Sequence, residues 1–236
     1  PNPVTPPTVS ITGTTTINED GGTASYTVAL SKTSPTPVTV TVVISDVTTA
    51  GVADYTAPIT QTVTIPAGST TATINVPIIN DNLFEGDEKF DVTITNVDTG
   101  NATIGTSTAN TVITDNETAT TAAVTGDTAN EGSNLDFVVA LSTPSATATT
   151  VNLKLTDGSA ILGTDTGTAV VVSTDGGVTF SPVTVAANGT FSVDVPANST
   201  KGIIVRVPTI AEGTNELNET INLEASATGQ TTASTA

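Results

Sequence analysis

Four blocks of residues recur along the chain in the same order, and this internal repeat limits its architecture more than any other feature. Tyr26-Thr27-Val28-Ala29-Leu30-Ser31 reappears as Phe137-Val138-Val139-Ala140-Leu141-Ser142, each followed within a few residues by a proline, Pro35 or Pro144. Pro66-Ala67-Gly68-Ser69-Thr70 reappears as Pro196-Ala197-Asn198-Ser199-Thr200, and Val76-Pro77 as Val207-Pro208. Glu85-Gly86-Asp87-Glu88 falls on Glu216-Leu217-Asn218-Glu219. The offset grows from 111 (137 − 26) to 131 (207 − 76), which places an insertion in the middle of the second copy, around Asp165 to Asn188. The expected organisation is a proline-rich linker over residues 1–7, a first domain over 8–117 and a second, diverged copy over 118–236.

Period-two alternation then identifies strands, since it turns one face of a segment inward. Tyr26/Val28/Leu30, Val38/Val40/Val42/Ile44, Ala72/Ile74/Val76/Ile78 and Phe90/Val92/Ile94 are four such rows in the first copy. The second repeats them as Leu135/Phe137/Val139/Leu141, Val151/Leu153/Leu155, Ile203/Val205/Val207 and Ile221/Leu223/Ala225. Turn signals such as Asp175-Gly176-Gly177 and Asn188-Gly189 separate them. Threonine and valine dominate and strong helix formers are scarce, so the expected fold is all-β: two tandem antiparallel Greek-key β-sandwiches.

Composition excludes several functions. Twenty-three acidic residues against five basic ones give a net charge of −18, which disfavours nucleic acid and anionic membranes as partners and makes divalent cations the natural counter-ions. No histidine or cysteine is present, which removes serine triads, thiol nucleophiles, zinc thiolate sites and disulfides together. A domain outside the cell without disulfides needs another staple, and bound metal is one. Asp98-Thr99-Gly100 and Asp165-Thr166-Gly167 spell the motif of aspartic proteases but lie 67 residues apart (165 − 98), too close for two lobes, and read as turns. Lys154 alternates against Val151, Leu153 and Leu155 and so faces outward, which argues against a buried isopeptide crosslink. No catalytic residues and no enzyme activity are expected. No apolar run approaches the ~20 residues of a membrane span, and both ends are expected to be cuts in a longer polypeptide.

The sharpest local feature is Asn80-Asp81-Asn82-Leu83-Phe84-Glu85-Gly86-Asp87-Glu88-Lys89-Phe90. Asp81, Asn82, Glu85, Asp87 and Glu88 crowd five hard oxygen donors between two apolar strands. Calcium, which takes six to eight oxygens in flexible geometry, suits such a loop better than magnesium does. If Phe90, Val92 and Ile94 face the core, Glu88 faces it too, while Lys89 points away. A carboxylate aimed inward needs a partner.

The loop resembles that of the Calx-β motif, found in sodium/calcium exchangers and large bacterial adhesins. The other elements of that pattern follow in family order as Ile17-Asn18-Glu19-Asp20, Ala53-Asp54-Tyr55-Thr56 and Ile113-Thr114-Asp115-Asn116-Glu117, so the resemblance covers about residues 8–117. It implies that Glu19, Asp54, Asp81, Glu85, Asp87, Glu88 and Asp115 converge on Ca2+ at one end of the sandwich. Asn80 and Asn82 stand where the family often has acid, and Glu117 replaces the last Asp, which favours fewer ions or weaker binding.

The second copy resembles the related immunoglobulin-like repeats of giant, RTX-type bacterial adhesins, with Glu131, Asp165, Glu212, Glu216 and Glu219 as carried-over ligand positions and Asn218 in place of Asp87. The counterpart of Asp115 falls near position 246 (115 + 131), so the second site and its last strand are expected to lie partly outside this chain.

The function these resemblances imply is that of calcium-binding extender repeats in an extracellular, cell-surface adhesin. The expected partners are neighbouring repeats of the same chain, with host or substratum ligands held by other domains, and this segment is expected to be monomeric. Two alternatives stay open: a calcium-dependent module that binds sugar or protein, with Tyr55 and Phe84 beside the loops, and a regulatory calcium sensor.

Overall fold

The computed structural model describes residues 5–48, 54–211, 213 and 217–236. Among them there is no α-helix; one 3-10 turn, Glu19–Gly21, interrupts an otherwise all-β chain. Two compact units result, one made of residues up to 81 with 86–116 and the other of residues 82–85 with 117–236.

The first unit contains β1 (Thr8–Gly13), β2 (Thr16–Asn18), β3 (Thr23–Leu30), β4 (Val38–Asp46), β5 (Thr60–Ile65), β6 (Thr71–Pro77), β7 (Glu88–Thr99), β8 (Thr103–Ile104) and β9 (Thr108–Thr114). They form two sheets, β6-β3-β1-β8 and β2-β9-β7-β4-β5, and the chain crosses between them at every step except from β4 to β5. Ladders are antiparallel except for two short parallel pairs, β1 with β8 and β2 with β9.

The alternating rows read from the sequence are the inner faces. Val9, Ile11, Tyr26, Val28, Val38, Val40, Val42, Ile44, Phe90, Val92 and Ile94 are all buried between the sheets. Burying one such side chain contributes about 1.5–3 kcal/mol, so a core of β-branched residues suffices without Met or Trp. Tyr26 is the largest buried side chain, and its hydroxyl meets that of Thr111, which donates in turn to the Thr14 carbonyl at 2.6 Å. Gly13 makes room for it: a Cβ there would sit 2.4 Å from the Tyr26 ring.

The second unit contains β10 (Ala122–Thr125), β11 (Asn134–Leu141), β12 (Thr149–Asp157), β13 (Val171–Ser173), β14 (Ser181–Pro182), β15 (Thr190–Val195), β16 (Ile203–Pro208), β17 (Ile221–Ala227) and β18 (Ser234–Thr235). Its sheets run β10-β11-β16-β13-β14 and β15-β12-β17-β18. The order β10-β11-β16 repeats β1-β3-β6, and β15-β12-β17-β18 repeats β5-β4-β7-β9. The inserted residues form the β13/β14 hairpin, which adds to the free edge of β16 through Val171↔Arg206 and Val172↔Val205. An insertion at a sheet edge leaves the core rows intact, which is why the repeat survives it.

Two polar clips hold this unit. Gln230 accepts from the Ala122 N–H at 2.7 Å and the Ala227 N–H at 3.0 Å and donates to the Ala122 carbonyl, tying β10 to β17. Arg206 makes a bidentate pair with Asp136, both bonds 2.7 Å, and its guanidinium lies 4.0 Å over the Phe180 ring.

Candidate metal centre

The parallel pairing of β2 with β9 sets up the acidic end of the first sandwich. Asn18 stands opposite Thr114, so the next residues, Glu19 and Asp115, leave the sheet side by side. Glu88 begins β7 opposite Ile113 of β9, and the inward parity of Phe90 turns it toward the interior. Asp54 lies in the connection from β4 to β5, which is tied by its backbone to the end of β6 in the other sheet. Its carbonyl accepts the Ile79 N–H at 2.9 Å, the Thr56 N–H reaches the Pro77 carbonyl at 3.0 Å, and Tyr55 bridges Ile78. The acidic loop closes over these residues at both of its ends. The Asp81 N–H donates to Glu19 Oε1 at 2.9 Å, and the Gly86 N–H donates to Asp115 Oδ2 at 2.6 Å. Gly86 has φ +78°, a left-handed turn that a side chain would strain.

Three carboxylates of this end are buried: Glu19 at 5% exposure, Asp54 at 4% and Glu88 at 8%. Carboxylate oxygens gather within 4.8 Å of one another in three groups: Glu19 with Asp115 and Glu117, Glu19 with Asp81 and Glu85, and Asp54 with Glu85 and Glu88. Glu19 and Glu85 each belong to two groups, so the three are continuous. Asp54 Oδ2 is buried without a hydrogen-bond partner. A desolvated carboxylate oxygen in that condition is costly unless a cation meets it. An all-carboxylate donor set of this kind is hard and anionic, the chemistry that calcium takes.

Six of the seven positions named from the sequence in the first copy are therefore brought together: Glu19, Asp54, Asp81, Glu85, Glu88 and Asp115. Asp87 is not. It is exposed and belongs to none of the three groups, because strand parity turns it outward where it turns Glu88 inward. Glu117 belongs to a group although it was read only as a departure from the closing motif; its place two residues after Asp115 was the available signal.

The second sandwich differs. Glu131 and Glu219 are exposed, Asp165 is half-buried, and Glu212 and Glu216 lie outside the described residues. Asp165 spends Oδ2 on the Ile161 N–H at 2.7 Å, within its own loop. Among the described residues no three carboxylates of this unit converge. Glu131, Asp165 and Glu219 instead line, with Leu135 and Phe137, an open cavity of about 760 Å³.

Residues 5–117 match the model of the family described as the Calx-beta domain. Among solved structures the chain is similar to CBD12 from CALX1.2, with 15% identity, 92% of this chain and 79% of that one covered, and a TM-score of 0.42. The calcium binding domain CBD12 of CALX1.1 gives 15% identity, 91% and 79% coverage, and 0.42. The apo-form Calx CBD1 domain gives 21% identity over 45% of this chain and 98% of that one, with a TM-score of 0.40. No curated protein matches the chain.

Proposed function

We propose that the first sandwich is a Calx-beta domain that binds calcium through Glu19, Asp54, Asp81, Glu85, Glu88, Asp115 and Glu117, and that the chain is a non-enzymatic extender segment of a longer bacterial cell-surface adhesin. The observation that carries the calcium reading is Asp54 Oδ2, buried and unpartnered on a side chain whose carboxylate lies within 4.8 Å of those of Glu85 and Glu88. A cation there turns mutual repulsion of desolvated carboxylates into attraction. An affinity of ~10⁻⁴–10⁻³ M, typical of extracellular modules, would leave the site filled outside cells and empty inside. Calorimetric titration of the whole chain with calcium chloride tests this. The expected result is saturable binding that Asp54→Asn abolishes; absence of binding, with an identical melting curve in EDTA, would overturn it.

The extender role is supported by the tandem repeat of one sandwich, by the net charge of −18, which keeps neighbouring copies apart, and by the absence of cysteine, which leaves metal as the staple. Calcium should then slow forced unfolding of the first sandwich in single-molecule pulling; equal unfolding forces with and without calcium would count against a load-bearing role. The sugar-binding alternative loses one of its two aromatic candidates, since Tyr55 is half-buried, its ring lies on Phe90 and its hydroxyl is committed to Asp46.

A further inference from the structure

Adjacent residues Asp54 and Tyr55 serve different ends. The Asp54 carboxylate joins Glu88 and Glu85, while the Tyr55 hydroxyl donates to Asp46 Oδ1 at 2.5 Å and its ring lies 4.9 Å from that of Phe90, tilted by 34°. Asp46 and Phe90 are cross-strand partners on β4 and β7, and Phe90 stands two residues from Glu88 on the same inward face. On its far side Phe90 meets Tyr26 edge-on, with centroids 6.3 Å apart, so the row Tyr55–Phe90–Tyr26 is set against the core.

Among the described residues, the backbone contacts of residues 54–56, to Pro77, Ile78 and Ile79, hold this segment of the β4–β5 connection to the β6 end of one sheet. The bond to Asp46 attaches it to the other, the sheet that carries Glu88.

We propose that Tyr55 is a positioning residue for the ion site: its bond to Asp46 and its contact with Phe90 hold the Asp54 carboxylate at a fixed distance from Glu88. The inference rests on the calcium reading above. Ion affinity depends on ligand oxygens held to within a fraction of an ångström, and a supporting bond one residue away supplies that precision. Sequence reasoning missed Asp46, which lies in no acidic loop and belongs to none of the three carboxylate groups.

The test is calorimetric titration of the full chain with calcium chloride, paired with melting in EDTA. Tyr55→Phe, which removes only the hydroxyl, should weaken binding about tenfold. Asp46→Asn, which keeps an acceptor but not its charge, should weaken it less, and the double variant should be no worse than Tyr55→Phe alone, because both act through one bond. Unchanged calcium affinity in Tyr55→Phe while the parent binds would overturn the inference alone, even if the EDTA melting temperature fell, since that is what a purely structural role predicts. Additive losses in the double variant would also overturn it. A parent chain that shows no calcium binding would overturn both this inference and the reading beneath it.

Discussion

Glu19 and Glu131 hold the same place in the repeat, as do Glu88 and Glu219, yet the two sandwich ends have opposite physical character. In the first, Glu19, Asp54 and Glu88 are buried and drawn into contiguous groups. In the second, Glu131 and Glu219 are exposed around an open cavity, and water can solvate them. A carboxylate in water needs no counter-ion, whereas one removed from water does. The difference comes from backbone geometry. The parallel β2–β9 pair and the 3-10 turn at Glu19–Gly21 fold the acidic residues of the first sandwich inward. Among the described residues the second has no such turn before β11. The same residue type at a repeat position therefore meets different surroundings in the two copies.

The largest effect expected from this contrast is a calcium response confined to one sandwich. Both tyrosines, Tyr26 and Tyr55, lie in the first unit, so near-ultraviolet tyrosine signals report on it selectively. At calcium a hundredfold above Kd the stabilisation is about 2.7 kcal/mol, or roughly 10 °C or more in melting temperature for a domain of this size. The tyrosine-monitored transition should move by that amount and the remaining far-ultraviolet transition should stay in place. Movement of both would break the comparison.

Asp54→Asn separates the two ends further. Without calcium it removes a buried charge lacking a partner, and should stabilise the first sandwich by about 1–3 kcal/mol in EDTA denaturation. Glu219→Gln, at an exposed site, should change stability by less than about 0.5 kcal/mol with or without calcium.

Alkaline titration supplies a pH test. Burial pushes the Tyr26 phenol up to about 12, against a smaller opposing effect of its bond to Thr111, and Tyr55 is raised as well. Folding favours the neutral phenols, so the stability they contribute is fully present below the unfolded value near 10 and is lost as pH rises through the folded values. Phenolate absorbance should stay absent at pH 10–11 and appear together with loss of the fold; free titration near pH 10 would show that the tyrosines are not enclosed.

A small effect is expected from an ion pair of the second sandwich. Arg206→Lys gives up the bidentate bond to Asp136 and the stacking on Phe180, and should cost about 0.5–1 kcal/mol, since a third of each charged side chain remains in water. No change in the calcium response should accompany it.

Much of this protein was legible before its structure. Alternation located the core strands of both copies, because a side-chain period of two has one inward face and the repeat supplied a second reading of each row. Short or polar strands escaped notice: β2 has only three residues, and Thr111 is buried because it completes the hydrogen bonding of Tyr26, which no hydropathy pattern announces. The inserted segment was located by the shift in offset, but its role as an edge hairpin beside β16 was not, since pairing partners lie far apart in sequence.

For the site, parity separated inward Glu88 from outward Lys89, and the same rule, applied one residue earlier, places Asp87 on the outward side. What the sequence by itself determined was the repeat, the two-sheet character of each copy and the supply of hard oxygen donors. Only the tertiary structure decided which carboxylates lose their water, that Glu117 joins them, and that Asp46 meets Tyr55, the neighbour of Asp54. The physical reason is that periodicity is a local property of a strand, while desolvation of a charged group depends on every segment that covers it.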